Sequence, residues 1–141
     1  MQPADVLSRP ARPPDLTLTY GRPDLVADLF LPPADPGAAG VPLIVFLHGG
    51  FWRAAYDRKH ARPLAEALAA AGLAVCVPEY RRVGQDGGGW PGTFDDVRAA
   101  VERLPDLVAG ATAGRADAIR PVLAGHSAGG HLAPGWRCQS P

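Results

Sequence analysis

Gly125-His126-Ser127-Ala128-Gly129-Gly130 follows directly on an apolar run, Pro121-Val122-Leu123-Ala124, and no other stretch constrains the fold of this chain as strongly. The run reads as a strand. Glycines two positions either side of a serine are what a sharp strand-to-helix turn needs, because the backbone there is strained and crowded. A serine on such a turn projects its hydroxyl clear of the sheet, which makes Ser127 the candidate nucleophile. The competing reading is that the glycines serve only a tight connection, and a second motif upstream decides against it.

That motif ends another apolar run. Residues 42–47, Pro-Leu-Ile-Val-Phe-Leu, are continuously apolar, as in a strand covered on both faces, and they lead into His48-Gly49-Gly50-Phe51-Trp52-Arg53, a glycine turn opening a long loop. Ahead of it, residues 16–20 and 25–30 read as two short strands joined by the turn Gly21-Arg22-Pro23-Asp24, an antiparallel hairpin. Pro63 suits a first helical turn, Leu64, Leu68 and Ala71 mark one face and Gly72 is a stop, so a helix is predicted over 62–71. A strand is predicted over 73–77. Residues 81–92, holding Gly87-Gly88-Gly89, read as a loop, and Thr93 with Asp96 three residues on resembles a capping box. Phe94, Val97, Val101 and Leu104 then share a helical face. Strand, helix, strand, helix, strand implies an α/β architecture, with a mostly parallel sheet flanked by helices after the N-terminal hairpin.

Composition narrows the partners. The 141 residues carry 14 basic and 14 acidic side chains, so no net field draws the chain to nucleic acid or to an anionic membrane. No run approaches the roughly 20 apolar residues of a membrane span, and residues 1–14 lack a signal-peptide core, which leads us to expect a cytoplasmic protein. Cys76 and Cys138 form neither a disulfide framework nor a zinc spacing, and Cys76 is expected as buried packing. No metal or cofactor is expected. The triple glycine lacks a following Lys-Ser/Thr and is no phosphate loop.

A strand ending His-Gly-Gly-Phe-Trp, a strand ending Pro78-Glu79-Tyr80-Arg81, and then Gly-His-Ser-Ala-Gly-Gly-His-Leu-Ala resemble the α/β-hydrolase superfamily over about residues 16–133, within it the bacterial esterase/lipase and kynurenine-formamidase-like branch. The resemblance implies a serine hydrolase acting on small-molecule carboxylic esters or amides. Attack on such a carbonyl makes a tetrahedral oxyanion, and a donor already aimed at it contributes about 2.7–4 kcal/mol in the transition state. The N–H of Ala128, just after the nucleophile, is one donor; by resemblance the other is Gly50, with Gly49 next and Phe51 behind them. Phe51, Trp52 and Tyr80 are expected to line the substrate pocket.

Other polar residues have plainer readings. His126 is expected to pack beside the strand end, His131 to lie on the helix after the elbow, His48 to be a hydrogen-bonding residue of the glycine turn and His60 a loop residue. Asp95 and Asp96, in a helix's first turn, are expected to complement its dipole. Glu79 and Tyr80 close a strand near the site. The resemblance breaks at Pro134-Gly135, which would interrupt the helix after the elbow. The domain division is therefore residues 1–14 as a disordered segment, 15–133 as the N-terminal half of an α/β-hydrolase domain and 134–141 as an atypical tail. The triad acid and base, which follow the serine in this superfamily, are unknown and expected to be absent, so the chain is expected to be a truncated form that lacks them. The alternative is a catalytically inactive remnant or small interaction module. In either case the strand before the elbow is expected to expose an apolar edge through which the chain self-associates.

Overall fold

The structure, a computed structural model, describes residues 12–33, 40–48, 61–81, 85–86 and 88–125. Among the described residues, five strands and two helices follow in chain order: β1 (Leu16–Thr19), β2 (Val26–Phe30), β3 (Val41–Leu47), α1 (Arg62–Ala70), β4 (Ala74–Pro78), α2 (Gly92–Ala111) and β5 (Ala116–Gly125). They form one sheet in the order β1-β2-β4-β3-β5. The β1–β2 and β2–β4 pairs are antiparallel, and the β4–β3 and β3–β5 pairs are parallel. This is the expected hairpin joined to a parallel sheet. The hairpin turn closes through Tyr20 N–H on the Leu25 carbonyl and Leu25 N–H on the Arg22 carbonyl, both at 2.9 Å.

Successive strand residues point to opposite faces, and the interior follows that rule. Ala27 and Leu29 of β2, Leu43 of β3 and Ala74 and Cys76 of β4 pack with Ala100, Leu104 and Val108 of α2. Strand residues of the opposite parity, Phe30, Phe46, Val75 and Val77, pack on the other face with Ala65 and Ala69 of α1. Asp28 also faces α1. It is fully buried, and its carboxylate accepts a 2.9 Å bond from Arg62 Nε and a longer one from the Thr17 hydroxyl. A buried carboxylate needs such partners, and Arg62 ties the start of α1 to the middle of β2. Arg12, ahead of the expected domain start, is already held: its N–H meets Glu66, its guanidinium reaches Asp15 and the Leu31 carbonyl, and it lies over the Phe30 ring.

Helix ends show where the periodicity is a good guide. The first helix stops because Gly72 takes φ +103°, a left-handed conformation that glycine adopts without a Cβ penalty, and it delivers the Leu73 N–H to the Leu68 carbonyl. The second helix departs from expectation at both ends. Its N-cap is Pro91, without a side-chain cap, so Thr93 and Asp96 do not form the capping box that their spacing suggests. Both are recruited by the preceding loop, as described below. The helix also runs through Pro105 to Ala111. Proline inside a helix costs ~3 kcal/mol through its missing N–H, and burial of Leu104, Pro105 and Val108 on the sheet opposes that cost.

The fifth strand is longer than the apolar run 121–124. Val41 pairs with Ala116 and Pro42 with Asp117, but Ile44 pairs with Val122, so the register shifts between them. Pro121 falls in this irregular stretch, where a residue without an N–H is tolerated. Ile119, in the same stretch, is 90% exposed and its N–H turns back to the Asp117 carboxylate.

Burial also sets a limit in pH. Cys76 is fully buried, and desolvation, helped by the negative charge of Asp28, pushes its thiol from 9.0 up to about 12. Burial raises the Tyr20 phenol in the same direction. The unfolded chain therefore loses these protons first, and the stability they confer, complete below pH 9, drains away as the pH rises towards 12. In a Cys138→Ser variant, we expect urea midpoints to fall progressively over that window. We also expect Cys76 to be inert to a disulfide-exchange reagent at pH 8 until the chain is unfolded; fast native-state reaction would show that β4 opens readily.

Candidate functional site

The parallel strands β3 and β5 are neighbours, and Leu47 is the partner of Gly125 at their common end. Adjacent strands lie about 4.8 Å apart. The residues immediately ahead of the two motifs singled out in the sequence, Leu47 before His48-Gly49-Gly50 and Gly125 before His126-Ser127-Ala128, are therefore matched on adjacent strands. In open α/β sheets the crevice outside the carboxyl ends of the strands is where ligands bind.

A dense polar junction holds this end of the sheet. His48 is fully buried, its ring stacks on Tyr80 with centroids 4.4 Å apart and planes 18° apart, and its Nε2 lies 2.9 Å from Glu79 Oε1. An ionised carboxylate can only accept, so with Glu79 charged it is Nε2 that carries the hydrogen. The Tyr80 hydroxyl donates to the His48 carbonyl at 2.5 Å. Tyr20 donates from its hydroxyl to the Glu79 carbonyl, the Glu79 N–H donates to the Val26 carbonyl at 2.7 Å, and Arg103 Nη1 donates to the Tyr20 carbonyl at 3.0 Å. Helix α2, the hairpin, β4 and β3 are thus joined through polar groups that would be costly to bury singly.

The chain leaving β4 is fixed equally firmly. Asp96, 2% exposed, accepts from the Arg81 N–H at 2.8 Å and from Arg81 Nε at 3.0 Å, and Arg22 Nη2 stands 3.5 Å away. The Thr93 hydroxyl donates to the Arg81 carbonyl and accepts the Gly89 N–H. Here is the reason that the capping box is not made: both side chains reach back to Arg81, and Thr93 also to Gly89. Asp95, adjacent in sequence, stays exposed in the first turn and fits the dipole role expected of both.

Of the residues singled out in the sequence, the structure brings together His48, Glu79 and Tyr80. His48 has the hydrogen-bonding role expected of it. Tyr80, expected in the pocket wall, is 2% exposed with its hydroxyl engaged on His48. Gly49, Gly50, Phe51, Trp52, Ser127 and Ala128, together with His60, His126, His131 and Cys138, lie outside the described residues. Sequence reasoning missed Tyr20, Arg81, Arg103 and the anchoring role of Asp96. Tyr20 and Glu79 are separated by 59 positions, and no periodicity or spacing marks a pair so distant. Among the described residues no group of His, Cys, Asp and Glu is arranged to hold a metal ion, and no helix is long and apolar enough to cross a membrane.

Hairpin, sheet order and helix placement are those of an α/β-hydrolase fold fragment. The chain belongs to the BD-FAE family, which it matches over residues 27–134. Among solved structures it is similar to the apo form of Thermogutta terrifontis esterase 2, at 26% identity and a TM-score of 0.72, over 88% of this chain and 46% of that one. The same esterase phosphorylated by paraoxon matches at 25% identity and a TM-score of 0.70, over 84% of this chain and 45% of that one. An esterase of Pyrobaculum calidifontis, at 23% identity, shares the fold with a TM-score of 0.68 over 96% of this chain and 42% of its own. The chain thus spans less than half the length of these structures. Comparison with curated proteins finds no match.

The two adjacent aspartates give a direct test of the junction. Asp96→Ala leaves Arg81 without its buried acceptor and is expected to cost about 2 kcal/mol in urea unfolding. Asp95→Ala removes only a dipole contact and is expected to cost about 0.5 kcal/mol. Equal effects would show that Asp96 is merely another first-turn carboxylate.

Proposed function

We propose that this chain carries the nucleophile and oxyanion-loop half of a serine hydrolase acting on carboxylic esters or amides. The observation that carries the reading is the Leu47–Gly125 pairing, which sets side by side the residues immediately ahead of the glycine motif and of the serine motif. The likeness to esterase structures supports it.

In this reading Ser127 Oγ attacks the carbonyl carbon as its proton passes to a general base, the oxyanion is met by the N–H groups of Ala128 and Gly50 or Gly49, and collapse of the intermediate expels the alcohol or amine. Water then releases the acid. Phe51 and Trp52 form the pocket wall, with Tyr80 backing it. The triad acid and base are left unassigned, and no cofactor takes part. A cytoplasmic location belongs to the same reading.

An organophosphate triester such as paraoxon tests the nucleophile, because one P–O bond forms at the serine as p-nitrophenolate leaves. We expect mass spectrometry to place a single diethylphosphoryl group on Ser127 and to find none in Ser127→Ala. Absence of any adduct, or its location elsewhere, would favour the second reading, a catalytically inert remnant or interaction module.

We also propose that β5 mediates self-association. It is the last strand of the sheet among the described residues, and Val122 is 54% exposed. An exposed apolar strand edge pairs readily with another chain. Light scattering is expected to show dimers or larger species for the native sequence and a smaller mass for Val122→Lys; a monomer in both cases would refute the proposal.

A further inference from the structure

We propose that Tyr80 and Glu79 are positioning residues for the oxyanion loop: together they clamp His48 by its carbonyl and its ring, and so set the direction of the N–H that follows it in the chain. The proposal deepens the serine-hydrolase reading and rests on it for the purpose of that N–H.

The geometry is specific. A peptide unit is planar and trans, so its C=O and the next N–H point in opposite directions. The Tyr80 hydroxyl holds the His48 carbonyl at 2.5 Å, and by that planarity it would turn the N–H of the same peptide unit to the opposite side. A hydrogen bond accepted by the carbonyl also polarises the amide and makes that N–H a stronger donor. Rotation of the residue about its own axis is blocked separately, by the stack of the His48 ring on Tyr80 and by the 2.9 Å contact of Nε2 with Glu79. The clamp is itself braced, since the Glu79 carbonyl accepts from Tyr20 and the Glu79 N–H is bound to Val26. The glycines after His48 supply no side chain that could fix a backbone orientation. A clamp just ahead of them, built from the two buried residues that follow β4, provides what the glycines cannot.

His48-Gly49 is the one His–Gly bond in the sequence. Chain labelled with carbonyl-¹³C histidine and ¹⁵N glycine therefore gives one correlated signal, for the peptide in question. In Tyr80→Phe, which deletes only the hydroxyl, we expect this signal to move well beyond its linewidth and its amide to exchange with solvent ~10-fold faster, while amides of α1 keep their protection. Glu79→Gln keeps an oxygen acceptor and should disturb the signal less than Glu79→Ala. Should Tyr80→Phe fail to fold, the graded response of the two Glu79 variants decides the matter. An unmoved signal in a folded variant overturns the proposal.

The second arm is kinetic. Phosphorylation of Ser127 by paraoxon should slow ~10-fold or more at saturation in Tyr80→Phe, with the concentration giving half the maximal rate unchanged, because the lost interaction acts on the transition state and not on ground-state binding. An unchanged maximal rate beside a shifted signal also overturns the proposal. If the native chain takes up no phosphoryl group, the serine-hydrolase reading fails, and the labelled peptide still reports whether Tyr80 orients it.

Discussion

The parallel pairing of β3 with β5 is the contact on which the rest of the site depends. Parallel strands cannot be joined by a tight turn, so the chain between them must make α1, β4 and α2 before it returns to the same edge. The pairing is in register at the end that matters, Leu47 opposite Gly125, and slips at the other end, between Pro42 and Ile44. A shift in register is tolerated where the irregular stretch of β5 faces outward with Ile119, and it leaves the alignment at the motif end intact. The proposed site thus hangs on a few ladder bonds, while the strand's early half accommodates an irregularity.

Polar burial then converts that alignment into a rigid edge. Most of the interior is apolar and sorted by strand alternation onto two helices, which fixes which face each side chain takes but says little about where a strand's last residue points. Orientation comes from directional bonds: Tyr20 to Glu79, Glu79 and Tyr80 to His48, and Asp96 to Arg81. Each of these groups loses solvation when buried, and each recovers it only in one arrangement. The apolar layers supply the driving force, and the polar junction selects a single geometry at the end where chemistry is expected.

What the sequence makes legible follows from the range of the interaction involved. The hairpin, β3, β4 and α1 can be read within a residue or so, because strand alternation, Pro63 and Gly72 act over one or two turns of chain. The early half of β5 is hidden by Asp117, Arg120 and Pro121, which interrupt the apolar run where the register shifts. Pro105 hides the length of α2, since packing against the sheet overrides a local penalty. Thr93 and Asp96 mislead for a related reason. Their spacing suits a capping box, yet Arg81 and Gly89, brought near by the loop, compete for the same oxygens, and for Asp96 a cation offers the stronger bond. At the candidate site, His48 and Tyr80 could be singled out from their place at strand ends, but the stacking and hydrogen bonds that join them depend on β3 and β4 lying side by side.

That dependence explains why an oxyanion loop would be assembled across two strands instead of one. A donor useful in catalysis must be aimed before substrate arrives, since any reorganisation during the reaction subtracts from its contribution. A strand end alone frays, and glycine, needed so that the backbone can come close, frays most readily. Placing the orienting hydroxyl and carboxylate immediately after β4, which lies directly beside β3 in the sheet, lets the most buried strand of the fold, every residue of which is in the interior, anchor the groups that hold His48. The cost is that the site inherits the cooperativity of the sheet: disturbing β4 anywhere along its length should loosen the His48 peptide before it unfolds the helices.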